Sequence, residues 1–274
     1  MALAEIPPAD LQSTSIIEHL RLHKITIEFG EAGLLERMQT EIDNTDWDTD
    51  AKDFVHAALA VAIDAHDGHM RGPQYPYSTH ILRVAIRLLS NDHFAIRDQP
   101  DLIAAALLHD SVEDRPRELL AALGCSEHEL THFDRLDRRD GQLYALDRIE
   151  YYFGSTVRQY VESVTNKPSN LSHTREEKYS VYHEHVRRLL VEEPLAGIIK
   201  LSDLIDNTAG LKYNEKSSEE KKNLAMKYYP LIPDLVQFVE KSTLFVAVRE
   251  DLLAQLTRCK AICIEYNPSL APVA

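Results

Sequence analysis

Seven consecutive apolar residues, Leu102 to Leu108, run straight into His109-Asp110-Ser111-Val112-Glu113-Asp114, where four ionisable side chains occupy six positions. The apolar run reads as a helix buried on all sides. On a helix Glu113 lies four positions after His109 and three after Asp110, and Asp114 lies four after Asp110, so the charges crowd along one edge. Three carboxylates that close repel one another and are costly to desolvate unless a cation sits among them or they line a wet cleft. The alternative is an amphipathic helix whose end fans out into solvent, and this stretch alone does not choose between the two.

The rest of the chain keeps the helical period. With nine glycines in 274 residues and no alternating strand pattern, the sequence predicts an all-α fold. Helices are expected over about 31–43, 49–66, 77–90, 100–112, 116–123, 141–153, 155–165, 175–192, 195–212, 218–229 and 243–266. Pro100 and Pro116 suit first-turn positions, Ser155 can cap the helix after Gly154, and Gly124 can end the one before it. Residues 1–47, with Pro7-Pro8 and the turn-prone Asp43-Asn44-Thr45-Asp46, read as a helical extension. A main domain over 48–215 follows, and 216–274 are read as further helices packed on it.

A formal net charge of −14 argues against DNA or RNA as a partner, because non-specific nucleic-acid binding needs a basic face. No apolar run reaches membrane-spanning length, and Met1 to Pro8 lacks a cationic leader pattern, so a soluble cytoplasmic protein without a membrane partner is expected. Cys125, Cys259 and Cys263 form no C-x-x-C pair and fit reduced thiols. Cys259 and Cys263, one turn apart, are read as packing residues.

Two further segments could complete a metal shell around His109 and Asp110. Tyr75-Pro76-Tyr77-Ser78-Thr79-His80 leads into a helix and puts His80 on its first turn. Ile198-Ile199-Lys200-Leu201-Ser202-Asp203 again interrupts an apolar helix with an acid. A lone histidine or aspartate is usually a satisfied or solvated side chain. Together, two imidazoles and two carboxylates make a mixed nitrogen and oxygen shell suited to Mn, Fe or Zn, with room for water and substrate oxygens.

The ordered set His80, His109-Asp110 and Asp203 resembles the H…HD…D signature of HD-domain phosphohydrolases. More narrowly, P-Y-S-T-H, A-A-L-L-H-D-S-V-E-D and K-L-S-D-L-I-D-N look like the three hallmark segments of the alarmone hydrolase domain of RelA/SpoT enzymes and of small alarmone hydrolases, over about residues 48–215. The resemblance implies an HD-domain helical bundle with additional N- and C-terminal helices. It makes His80, His109, Asp110 and Asp203 the ligands of one Mn2+ ion per chain, a site other divalent transition metals could also fill. Glu113 and Asp114 match the acidic pair that positions and activates water. The implied reaction removes the 3′-pyrophosphate from (p)ppGpp or (p)ppApp, releasing pyrophosphate and a nucleoside 5′-di- or triphosphate. Asn207 matches an asparagine near the substrate ribose. Lys167, in Val164-Thr165-Asn166-Lys167, and Arg83 are candidates to meet a phosphate. A homo-oligomer is compatible with all of this.

The chain departs from the family pattern in places. Relatives often carry an Arg-Lys pair before P-Y-x-x-H; here His69-Met70-Arg71-Gly72-Pro73-Gln74 leaves Arg71 to stack on the base, which any purine satisfies. Asp206 stands where relatives often have His or Tyr. The charged stretch from Cys125 to Glu150 is longer than small hydrolases need, and too few residues follow the hydrolase segment for a synthetase domain. Two other readings compete: an HD phosphohydrolase acting on another nucleotide, and a non-catalytic alarmone- or protein-binding helical module. His128-Glu129-Leu130-Thr131-His132 also matches the zinc-peptidase pattern H-E-x-x-H, although its neighbours are solvated. His66 and His69 have helical spacing but no nearby acid and are expected to face solvent.

Overall fold

The computed structural model describes residues 14–72, 74–89, 99–167, 173–243 and 248–271. It is helical, with no strand among the described residues. In chain order the helices are α1 (Thr14–Asp43), α2 (Thr49–Ala65), α3 (Ser78–Leu89), α4 (Pro100–Leu108), α5 (Ser111–Asp114), α6 (Pro116–Ala122) and α7 (Glu127–Phe133). They continue with α8 (Arg138–Val164), α9 (Arg175–Glu192), α10 (Pro194–Ala209), α11 (Ser218–Tyr228), α12 (Ile232–Lys241) and α13 (Arg249–Tyr266).

Local chemistry explains the boundaries. Asp48 accepts the Ala51 N–H at 2.9 Å to start α2. Thr174 with Glu177 and Ser217 with Glu220 close reciprocal capping boxes on α9 and α11. Gly154, at φ 84°, breaks α8 into the two predicted helices. Gly124, at φ 77°, follows α6 as expected. Helices α7 and α12 lie outside the predicted set, and α1 starts well before residue 31. The expected ends at residue 90 and over 244–247, and Pro7-Pro8, fall outside the described residues.

The centre of the bundle is made by α3, α4 and α10. All twelve residues of α3 are buried, and Leu102 to Leu108 of α4 are 0% exposed. Helix α1 packs on α3, α2 on α4, and α9 and α13 on α10, while α11 and α12 rest on α13. Helix α1 also touches α13, so both ends of the described chain join one core. Leu107 sits at the middle of this packing. Leu107→Ala should cost about 2–5 kcal/mol of unfolding free energy, measurable by urea denaturation. A change below about 1 kcal/mol would mean that the apolar run is not the structural centre.

Candidate metal centre

The predicted continuous helix over 100–112 is interrupted at His109-Asp110. The His109 imidazole donates Nδ1–H to the Ala106 carbonyl at 2.8 Å, the group that the Asp110 N–H would take in an unbroken helix. Its Nε2 is thereby left as a lone pair facing inward. His80, on the first turn of α3, uses Nδ1 on the Asp206 carboxylate at 2.8 Å and likewise turns Nε2 inward. Both buried Nε2 atoms lack a hydrogen-bond partner.

The two nitrogens converge on the same carboxylates. Asp110 Oδ2 lies 3.5 Å from His80 Nε2 and 3.2 Å from His109 Nε2. Asp203 Oδ1 lies 3.2 Å and 4.0 Å from the same atoms. Among the described residues, His80, His109 and Asp110 form the one tight group with metal-ligating atoms. Asp203 borders it, its other oxygen held by Lys200 at 2.8 Å and its Oδ1 accepting a short hydrogen bond from Asn207. Two unpartnered imidazole nitrogens facing two ionised carboxylates fit a divalent ion.

Electrostatics agree with that fit. Burial would raise Asp110 and Asp203, but the histidines around Asp110 and the Lys200 ammonium beside Asp203 hold both below the usual carboxylate range. Burial and the Arg71 charge push His80 down, yet the carboxylates of Asp110, Asp203 and Asp206 outweigh them and raise it to about 9. Below that pH an ion must displace the His80 proton. Apparent affinity for a divalent ion should therefore rise about tenfold per pH unit from pH 7 towards 9, with proton release. Calorimetry in buffers of different ionisation heat counts the proton, and a pH-independent affinity would contradict this.

The neighbouring acids have distinct settings. Glu113 Oε2 accepts from the Asn166 backbone N–H at 3.1 Å and its amide at 2.8 Å. Asp114 reaches solvent, but the desolvating walls around its carboxyl and the charges of Asp110 and Glu113 raise it to about 6. Glu113, Asn166 and Lys167 line a cavity of about 650 Å3 whose wall also carries Arg138, Lys178 and Lys227. Arg71 sits on the other side, 5.5 Å over the Tyr77 ring and joined to Asn207 by a short hydrogen bond. Asn207 therefore links Arg71 to Asp203.

Two expectations change. Arg83 is not available to phosphate, because it is buried in a two-pronged ion pair with Asp206. His66 is buried rather than solvated: it stacks on Tyr77 with centroids 5.1 Å apart and meets Ser111 Oγ at 3.3 Å. Burial pushes it down to about 3. The H-E-x-x-H stretch forms no metal group among the described residues, since Glu129 caps α7 through Ser126 and pairs with Arg148 while His128 and His132 are exposed. Sequence reasoning missed Tyr77, whose hydroxyl donates to Asp110 Oδ2 at 2.8 Å, and Lys200. It also missed Asn166, although the Val164 to Lys167 segment pointed to it. Cys259 and Cys263 are buried packing residues of α13, as expected.

No family model matches the chain. Over 167 residues it is 31% identical to the putative GTP diphosphokinase RSH1, chloroplastic, of Oryza sativa subsp. japonica, a match covering 58% of this chain and 15% of that protein. Over 175 residues it is 27% identical to the guanosine-3′,5′-bis(diphosphate) 3′-pyrophosphohydrolase of Haemophilus influenzae, covering 62% of this chain and 21% of that protein. The chain thus spans about a fifth or less of the curated relatives it matches. A solved structure of a metazoan ortholog of SpoT, described as hydrolysing ppGpp, aligns with TM-score 0.50 and 22% identity over 75% of this chain and 93% of that one. No described helix is long and apolar enough to cross a membrane. The chain is thus similar in sequence to these two proteins over part of its length and shares the all-α fold of the third.

Proposed function

We propose that the chain is a cytoplasmic, Mn2+-dependent hydrolase that removes the 3′-pyrophosphate of alarmone nucleotides. The observation that carries this reading is the pair of unpartnered Nε2 atoms of His80 and His109 facing Asp110 and Asp203, beside an acid pair and a basic cavity. Residues 48–215 form the hydrolase core in this reading, with 1–47 and 216–274 as helical additions. His80, His109, Asp110 and Asp203 would hold one ion, and when bound it would polarise a phosphoryl oxygen and lower the pKa of water.

The chain's own side chains support the remaining roles. Tyr77 and Lys200 orient the carboxylates of Asp110 and Asp203. Asn166 fixes Glu113 at the cavity wall, and Asp114, raised to about 6, accepts a proton near neutral pH. Hydrolysis adds one water across the 3′-oxygen–phosphorus bond, leaving pyrophosphate and a nucleoside 5′-di- or triphosphate. In a chain of net charge −14, substrate capture falls to local cations, with Lys167 on the cavity wall and Arg71 beside Asn207.

The experiment is product analysis with guanosine and adenosine 3′-pyrophosphates and ordinary nucleoside triphosphates in Mn2+. Pyrophosphate from the 3′-pyrophosphates alone supports the reading; cleavage of ordinary triphosphates points to another nucleotide, and no turnover to a binding module. Arg71→Ala should raise KM about 5- to 30-fold through ~1–2 kcal/mol of lost stacking, with kcat changed far less. Steady-state kinetics on the best substrate checks this, and an unchanged KM would remove Arg71 from the base site.

A further inference from the structure

Asp206 is fully buried at the centre of a cluster that the motif reading does not use. Its Oδ1 accepts from Arg83 Nε at 2.9 Å and Arg87 Nη2 at 3.2 Å, with His23 Nε2 at 3.7 Å. Its Oδ2 accepts from Arg83 Nη2 at 3.0 Å and from His80 Nδ1 at 2.8 Å. Arg83 is tied in turn to Thr26 Oγ1 of α1 at 3.1 Å, and Arg87 to the Ser202 hydroxyl and carbonyl of α10. A carboxylate can only accept, so the His80 nitrogen facing it must carry the proton.

We propose that Asp206 is a positioning residue that holds His80 in the one tautomer able to bind a metal ion, and that α1 secures it through the Arg83 and Thr26 contact. The two-pronged Arg83 contact grips both oxygens of the carboxylate, so it cannot rotate away. The carboxylate orients the ring and increases its basicity as a ligand. Helix α1 thus works as part of the metal centre rather than as an appendage. This rests on the metal reading above.

Asp206→Asn separates positioning from packing. Arginines only donate, so they claim the amide oxygen and leave the NH2 group facing His80 Nδ1. That nitrogen must then accept, and the proton moves to Nε2, the atom meant for the ion. Mn2+ calorimetry on the 274-residue chain should show binding weakened about 10–100-fold in Asp206→Asn. Arg87→Met, which removes a cation on the far side, should lower Tm but change Mn2+ affinity less than about threefold. If Asp206→Asn does not fold by circular dichroism, the double variant Asp206→Asn with Arg87→Met, which restores the local charge balance, is measured instead with the same expected loss. Unchanged affinity in the folded Asp206→Asn or double variant, or an equal loss in Arg87→Met, would overturn the positioning role. A wild-type chain that binds no Mn2+ would instead overturn the metal reading on which it stands.

Discussion

Asp203→Ala is expected to abolish both divalent-ion retention and turnover while the helical signal survives. Asp203 Oδ1 lies 3.2 Å from the unpartnered His80 Nε2, whereas the other α10 carboxylate, Asp206, is taken by His80 Nδ1 and Arg83. Losing a ligand forfeits several kcal/mol of charge stabilisation, and each 1.36 kcal/mol is tenfold in rate, so turnover should fall by at least about 10³. Alanine also strands the buried Lys200 ammonium, which is paired with Asp203 at 2.8 Å. Breaking such a pair from one side costs about 3–5 kcal/mol, so Tm should drop as well. Asp203→Asn, which keeps an oxygen near Lys200, separates the two effects: folding recovers in part and metal binding does not. Alanine at His80, His109 or Asp110 should behave alike. Metal analysis by mass spectrometry together with single-turnover assays checks the set, and an Asp203→Ala chain that still turns over would remove Asp203 from the ligands.

The geometry of this centre is legible in sequence because its residues announce themselves at helix interruptions. An apolar run that ends in His109-Asp110 and an apolar helix broken by Asp203 are costly unless the polar groups meet something, and in the fold they meet one another. What the sequence hid are partners brought in by packing. Asp206 reads as one more acid on α10, yet its ligands Arg83 and Arg87 lie 123 and 119 positions away. His66 looked solvated beside Gly68 because its neighbours Tyr77 and Ser111 come from the α3 approach and from α5. The first helix read as an extension for the same reason: Thr26 meets Arg83 across 57 positions. The H-E-x-x-H pattern was visible too, but its solvated neighbours spoke against a metal site, and its glutamate, three places after a serine, closes a capping box.

Glu113→Gln should keep the metal ion and lose most of the turnover, about 10²–10⁴-fold, because an amide cannot take up a proton. The setting of Glu113 makes the outcome specific. Oε2 already receives two donors from Asn166, at 3.1 and 2.8 Å, so a glutamine would turn its oxygen towards Asn166 and its NH2 group towards the cavity where water is to be activated. Asp114, raised to about 6, is the other proton acceptor within the acid pair. If it shares the task, wild-type kcat should rise as pH increases through about 6, since the raised group is protonated below that value and unable to accept. In Asp114→Asn that limb should vanish, whereas in Glu113→Gln it should persist on the residual rate. Mn2+ calorimetry and kcat profiles over pH 5–8 on the two variants decide the division of labour. Loss of metal from Glu113→Gln would move Glu113 among the ligands, and full turnover in both variants would place the base elsewhere on the cavity wall.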